Sequence, residues 1–437
     1  MGNQEKHSPK GTAPNRGDSG KRFESLRSSP RKYRKSKCLR AMPKIIYVVD
    51  DEPEVRRMFG LCLRRLHPSW RVTEFATPAE ALGAIEQRPP HLVLSDHEMP
   101  GMSGSELLDR IRQIAPATVR IMISSHVGFS KKLGAAHQYL GKPCSVQDLE
   151  SRVRQALAAQ RSLQNDPLAR LVSSLTSFPV LPSVYSDLIR ELENQHSSLD
   201  QIAELLDQDG GMLSRVIQAA NSPLFRGDSA IMDSKAAVLQ LGTQNVKALV
   251  FSMHVFDGYE RMHFPEMPVE LLWRHSCLTA RLARELCGKT LGDGPANDAF
   301  FAGLVHDLGC LILMENHPES FRALCQKAQS QGKPLSQAEK ETFEATHEDL
   351  TAFMLRLWGM PERVIEAVTF QNAPWEGPHA DRFSPTVALY MANIVTRLHR
   401  PPDRLPTAEL DRKYLDRVGA PEICPSVRYV GKPPKLA

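Results

Sequence analysis

Across residues 44–158, short β-rich apolar runs alternate with stretches whose apolar residues recur every three or four positions. This is the pattern of a parallel sheet covered by helices on both faces. Five strands are predicted, at Lys44–Val49, Arg71–Phe75, His91–Ser95, Arg120–Ser124 and Gln138–Leu140. Val55, Met58, Phe59, Cys62 and Leu66 form one helical stripe, and Thr77-Pro-Ala-Glu80 reads as a capping box with Pro at the first helical position. Ser145-Val-Gln-Asp148 opens a last helix striped by Val146, Leu149, Val153 and Leu157. That helix runs into the polar stretch Gln160–Asn165, which predicts an interdomain linker.

After Pro167 the strand signal ends and helix follows helix to about residue 400, which predicts an all-α half. Ser198-x-x-Gln201 caps a helix bearing Ile202, Leu205 and Leu206. Leu213, Val216, Ile217 and Ala220 stripe the next, and Gly242 stands where a C-cap belongs. Leu405–Val418 predicts a final helix before a Pro-rich end. The chain thus divides into a tail (1–42), an α/β domain (43–159), a linker (160–168), a helical domain (169–400) and a C-terminal helix and tail (401–437).

A chain of 437 residues exceeds what one core usually holds, and 41% hydrophobic with 24% charged residues suits ordinary packing. The net charge of +5 misleads, because residues 1–41 hold twelve Lys or Arg against Glu5, Asp18 and Glu24. The body of the chain is mildly acidic, so a nucleic-acid surface is not expected. The tail is rich in Ser, Gly, Pro, Lys and Arg, and disorder is expected there. Met42 stands just before the first strand run, which leaves open an expressed basic extension or an internal start. No run approaches the roughly 20 apolar residues of a membrane span, and no signal peptide is recognisable, so a cytoplasmic protein without membrane contact is expected. The eight cysteines are scattered, with no C-x-x-C pair, which predicts reduced, packed thiols.

The strand ends carry the first chemistry. Asp50-Asp51 follow the first strand, Asp96 the third and Ser124-Ser125 the fourth, while Lys142-Pro143 follows the fifth. Ligands of open parallel sheets bind outside these carboxyl ends. Carboxylates crowded there repel unless a hard divalent cation sits among them, which implies Mg²⁺. A carboxylate beside such a metal, with a lysine and a hydroxyl near it, suits phosphoryl transfer.

The segments Val48-Val-Asp-Asp-Glu-Pro53, Leu92-Val-Leu-Ser-Asp-His-Glu-Met-Pro-Gly-Met-Ser-Gly104, Ile121-Met-Ile-Ser-Ser-His126 and Tyr139-Leu-Gly-Lys-Pro143 resemble response-regulator receiver domains in order and spacing. The resemblance implies a doubly wound, five-stranded, flavodoxin-like sheet. It also implies Asp96 as phosphoacceptor, Asp50 and Asp51 with Asp96 at the metal, Ser124 as switch hydroxyl, Tyr139 as switch aromatic and Lys142 as phosphate partner.

In the helical half, His306-Asp307 lies within Phe300-Phe-Ala-Gly-Leu-Val-His-Asp-Leu-Gly309, and His275 lies in Trp273-Arg-His-Ser276. This resembles metal-dependent HD phosphohydrolases, with Asn393 where their distant aspartate would stand. Gln371-Asn372 replaces the paired histidines of the cyclic-dinucleotide HD-GYP branch, although His347 is present. Phe178-Pro-Val-Leu-Pro-Ser183, Ile202-Ala-Glu-Leu-Leu-Asp-Gln-Asp209, Ala219-Ala-Asn-Ser-Pro223 and Ala237-Val-Leu-Gln-Leu-Gly242 resemble the non-catalytic HDOD relatives, with Gly210-Gly211 a departure. His275, His306, Asp307 and Asn393 are therefore expected as a degenerate site without a firm cofactor. The expected partners are a histidine kinase or phosphotransfer protein and a downstream signalling protein, with a homodimer left open. The alternative is a phosphodiesterase acting on cyclic dinucleotides under receiver control.

Overall fold

The computed structural model describes residues 43–125, 134–179, 198–208, 210–221, 231–398 and 409–422. The basic tail, residues 401–408 and the Pro-rich end lie outside the described residues, as do parts of the matched helical segments. The five strands form at β1 (Ile45–Val49), β2 (Arg71–Phe75), β3 (Leu92–Asp96), β4 (Val119–Ser124) and β5 (Gln138–Gly141). All pairings are parallel, in the order β2-β1-β3-β4-β5. The winding reverses between β1 and β3, so the crevice at their carboxyl ends is where a ligand site belongs.

Helices α1 (Pro53–Leu66), α2 (Pro78–Gln87), α3 (Gly104–Ile114) and α4 (Val146–Gln160) cover this sheet. Ser103 and Glu106 make a reciprocal capping box at α3. Gly104 is required there, because a Cβ would come within 2.0 Å of the Asp96 carbonyl oxygen. Two local expectations need correction. Met58 points to solvent while Leu63 is buried, so the α1 stripe is rotated from the one expected. At α2 Thr77 accepts from Glu80 N, but Glu80 reaches back to Ala76 N instead of Thr77 N, so the box is incomplete.

Residues 160–168, expected as a linker, are folded. A 3-10 turn (Ser162–Gln164) follows α4 directly and leads into α5 (Asp166–Ser174), with Leu163 fully buried. Polar residues on the outer face of helices had the look of a spacer. The helical half continues through α6 (Leu199–Asp207), α7 (Gly210–Asn221), α8 (Ser234–Leu241), α9 (Thr243–Asp257), α10 (Val269–Leu291), α11 (Asp293–Val305), α12 (Leu308–Asn316), α13 (Pro318–Gln331), α14 (Leu335–Phe343), α15 (His347–Leu357), α16 (Glu362–Thr369), α17 (Pro385–Leu398) and α18 (Arg412–Arg417). The final helix is shorter than expected because Asp411 caps it at Tyr414 N. One 24-residue segment, Asp293–Asn316, is long and apolar enough by length and composition alone to cross a membrane. Its most apolar window is 83% buried in the helical core, and the segment breaks between α11 and α12.

The two halves share one continuous hydrophobic cluster, and α4 packs on α15. Gln138 Nε2 donates to the Leu357 carbonyl, Arg356 Nη1 to Ser162 Oγ at 3.0 Å, and Arg112 Nη1 to the Leu175 carbonyl at 3.3 Å. Between the halves lies Arg120, fully buried in β4. It donates to the carbonyls of Ala135 at 2.6 Å and Thr118 at 3.1 Å, and its Nη2 lies 2.9 Å from His137 Nε2. Phe178 and Phe353 present their edges to the His137 ring. Burial pushes Arg120 down to about 9.

Burial, reinforced by Arg120, holds His137 well below its ordinary value of 6.5. An unfolded chain would take up a proton there as pH falls through that value, while the folded chain would not. The stability tied to His137 is therefore complete above the unfolded value and declines as pH falls below it. In urea titrations, His137→Gln is expected to lose less stability than the parent between about pH 7 and about pH 5. Equal losses would place the acid sensitivity elsewhere.

Candidate functional site

Strand register brings the first set of residues together. Asp50 and Asp51 follow β1, Asp96 ends β3 and Ser124 ends β4, where it pairs with Gly141 of β5. Lys142 N donates to the Ser124 carbonyl at 2.8 Å, which fixes the lysine beside the acids. Its Nζ lies 2.5 Å from Asp96 Oδ1 and 3.0 Å from Asp50 Oδ2. The other carboxylate oxygens accept backbone N–H groups, Asp50 Oδ1 from Glu52 and Asp96 Oδ2 from Glu98, both at 2.9 Å. Arg56 clasps the Asp50 carbonyl at 2.5 Å. Tyr139 is half-buried on β5 against Met122, and burial raises its phenol.

Asp50 is fully buried, and burial raises its carboxyl against the opposing pull of Lys142. Burial works against the charge on Lys142, but its bonds to Asp96 and Asp50 raise it above the ordinary value. Asp50 and Asp96 converge on Lys142 and offer hard oxygen donors of the kind Mg²⁺ takes, to which Asp51, next in sequence, would add a third.

The second set also converges. His275 comes from α10, His306 and Asp307 from the break between α11 and α12, and Asn393 from α17. His306 Nδ1–H donates to the Gly303 carbonyl at 2.7 Å, which turns Nε2 inward. That Nε2 lies 3.2 Å from His275 Nε2 and 3.3 Å from Asp307 Oδ2. His275 Nε2–H donates to Asn393 Oδ1 at 3.0 Å, Asn393 Nδ2 to Gln371 Oε1 at 3.2 Å, and Gln371 Nε2 to the His306 carbonyl at 3.1 Å. The packing is close: a Cβ on Gly309 would meet the His347 carbonyl oxygen at 2.1 Å.

Three residues here escaped the sequence reading. Arg397, one turn beyond Asn393 on α17, places Nη2 3.4 Å from Asp307 Oδ1. Glu339 binds His347, and Cys310 lies one turn beyond Asp307. Burial would raise the Asp307 carboxyl, but His306 and Arg397 hold it well below its ordinary value. Burial opposes the charge on His347, yet Cys310, Glu339 and Glu348 around it raise the imidazole well above 6.5.

Residues 46–154 match the response regulator receiver domain, and residues 178–374 match the HDOD domain. The chain is a receiver domain fused to an HDOD domain. It is similar to the hydrogenase transcriptional regulatory protein HoxA of Cupriavidus necator, at 30% identity over 184 residues, 41% of this chain and 34% of that protein. The chain thus spans about a third of the length of that relative. Its receiver is similar to the signal receiver domain of an HD domain-containing protein from Pseudomonas fluorescens Pf-5, at 29% identity, covering 28% of this chain and 98% of that one, with a TM-score of 0.26. An HDOD domain protein of unknown function from Geobacter sulfurreducens matches at 21% identity, 57% of this chain and 83% of that one, with a TM-score of 0.48.

Removing Lys142 leaves the buried Asp50 and Asp96 carboxylates facing each other without a counter-ion. Lys142→Met is expected to destabilise the receiver by about 1–3 kcal/mol near neutral pH without added Mg²⁺. Acidification is expected to recover part of this loss, because protonating one acid ends the repulsion. Urea unfolding at both pH values checks it; a loss that grows on acidification would contradict the repulsion.

Proposed function

We propose that this chain is the response regulator of a two-component phosphorelay, in which Asp96 accepts a phosphoryl group and the change switches the HDOD domain. The observation that carries this reading is Lys142 held between Asp50 and Asp96 at the carboxyl edge of the sheet. A histidine kinase or phosphotransfer protein is the donor, and the HDOD domain regulates a downstream protein in the cytoplasm. Asp50, Asp51 and Asp96 would hold Mg²⁺, which supplies neutralisation of charge on the phosphoryl group.

The chain's own groups divide the remaining work. The Asp96 carboxylate attacks phosphorus as the donor's phosphohistidine N–P bond breaks and its imidazole leaves, Lys142 releases its grip on Asp96 to meet a phosphoryl oxygen, and the Ser124 hydroxyl donates to another. Two or three such bonds at roughly 1.5–3 kcal/mol each reach the about 5.5 kcal/mol that inverts a two-state population from 1:99 to 99:1. Ser124 and Lys142 stand at the far ends of β4 and β5. The near end of β5 bears on the HDOD domain through Gln138, and His137 just before it meets Phe178 and Phe353. Displacement of the two strands is the route by which phosphorylation reaches the output.

A second reading, a metal-dependent phosphodiesterase of cyclic dinucleotides, draws support from the convergence of His275, His306 and Asp307. Asn393 and Gln371 oppose it with amides where charge is needed, and Arg397 puts a cation beside Asp307. Asp96 phosphorylation is tested by incubating the chain with a small phosphodonor and Mg²⁺. One added phosphoryl group is expected by intact mass, and none in Asp96→Asn; an unmodified parent would refute the reading. Hydrolysis of cyclic dinucleotides by the full chain is expected to be absent with Mg²⁺ or Mn²⁺. Turnover abolished by His306→Ala would favour the second reading.

A further inference from the structure

Residues of α8, α9, α10 and α11 line a cleft of about 350 Å³ in the HDOD domain. Pockets that take small molecules run from about 300 to 1,000 Å³, so this one has room for a compact ligand. Arg281 and Arg284 of α10 face it, together with Asn245 of α9 and Phe300 of α11. Arg284 stands nine residues beyond His275 on the same helix. At about 3.6 residues per turn that is two and a half turns, which puts Arg284 on the face of α10 opposite the histidine. His275 is buried and both arginines are exposed, so the cleft is distinct from the cluster around His306.

The charges in the cleft do not cancel. Among the described residues neither Arg281 nor Arg284 has an ion-pair partner, although two acids line the same cleft. Glu285 is taken by Lys289, whose Nζ donates to it at 2.7 Å. Asp293 opens α11, where the partial positive charge of a helix N-terminus favours a carboxylate. What is left unanswered is the charge of two guanidinium groups.

Residues three apart on a helix stand about 5–6 Å apart at Cβ, so the two forks can close on one anion from adjacent turns. Each fork presents paired N–H donors that match the oxygens of a carboxylate or a phosphate. A carboxylate answers one guanidinium, whereas a phosphate monoester, at about −1.5 to −2 charges near neutral pH, answers both. The remaining walls suit an organic body. Leu241, Ala296 and Phe300 are apolar. Asn245 is 4% exposed, and its Nδ2 donates to the Leu241 carbonyl at 2.7 Å, which leaves Oδ1 a buried acceptor with no partner. Protein interiors pair nearly all such atoms, so a hydrogen-bond donor belongs beside it.

We propose that this cleft binds a small organic phosphate, with Arg281 and Arg284 gripping the phosphate monoester and the body of the molecule, carrying a hydrogen-bond donor, toward Asn245. The site gives the HDOD domain a chemical input of its own, which does not depend on phosphorylation of Asp96.

The test titrates the full chain, without phosphodonor, with adenosine 5′-monophosphate, ribose 5-phosphate and inorganic phosphate by isothermal titration calorimetry at low salt. Adenosine and ribose serve as unphosphorylated controls. At least one ester is expected to bind, one molecule per chain and about tenfold or more tighter than inorganic phosphate, while the controls do not bind. Arg281→Gln and Arg284→Gln each weaken the ester about tenfold or more. Asn245→Leu weakens the ester more than it weakens inorganic phosphate. Glu285→Gln and His275→Ala leave the affinity unchanged. Circular dichroism checks that each variant folds, and if Asn245→Leu does not, the exposed arginine variants decide. Absence of binding by both esters at millimolar concentration overturns the proposal, as does inorganic phosphate binding as tightly as either ester. Affinity kept in the double variant Arg281→Gln with Arg284→Gln, or lost in His275→Ala, places the ligand elsewhere and overturns it too.

Discussion

Charge removed from water must meet charge of opposite sign, and this constraint shapes the sites in both halves of the chain. At the sheet edge Asp50 is fully buried and Asp96 nearly so, and the single Lys142 ammonium is stretched between them. The arrangement is under-compensated: one cation serves two buried acids. Such a cluster is electrostatically hungry, and anything cationic that enters, or any anion that recruits Lys142 away, redistributes the whole balance. In the HDOD domain the same constraint is met differently. Asp307 is ringed by His275, His306, His347 and Arg397, so its charge is satisfied from within the protein.

The interface between the halves is the exception that gives the constraint its interest. Arg120 is fully buried among two carbonyls and an imidazole, with no carboxylate bonded to it among the described residues. Its stability there depends on His137 staying neutral, and His137 is kept neutral by the burial that Phe178 and Phe353 help to supply. The shared hydrophobic cluster and the packing of α4 on α15 offset the cost of that buried charge.

The sheet was legible because each strand ends an apolar run at a turn or charge, and because β-branched residues are frequent in β1 and β4. The acids and Lys142 were legible for the same reason, since strand ends are fixed points of the fold. What long-range packing decides was not legible. Nothing in the strand pattern marks Arg120 as fully buried or pairs it with His137. The stretch Gln160–Asn165 reads as a spacer because helices with one wet face are as polar as linkers. In the HDOD half His275, His306 and Asp307 stood out as a motif, whereas Arg397 and Cys310 carried only the weak signal of lying one helical turn from Asn393 and Asp307.

Asn393 bears on how firmly the cluster around His275 and His306 is set in its present form. An amide can donate and accept at once, and Asn393 does both, taking the His275 N–H and giving its own to Gln371. A carboxylate in its place would accept from His275 equally well but would confront Gln371 Oε1 with a second acceptor. Rotating the Gln371 amide does not relieve this, because its Nε2 is committed to the His306 carbonyl and the flip would set two oxygens together there. Asn393 and Gln371 therefore hold each other in place, and restoring the acid at one position leaves an unsatisfied buried group at the other. With Arg397 already beside Asp307, amides and a cation from three side chains on two segments surround the His306-Asp307 dyad.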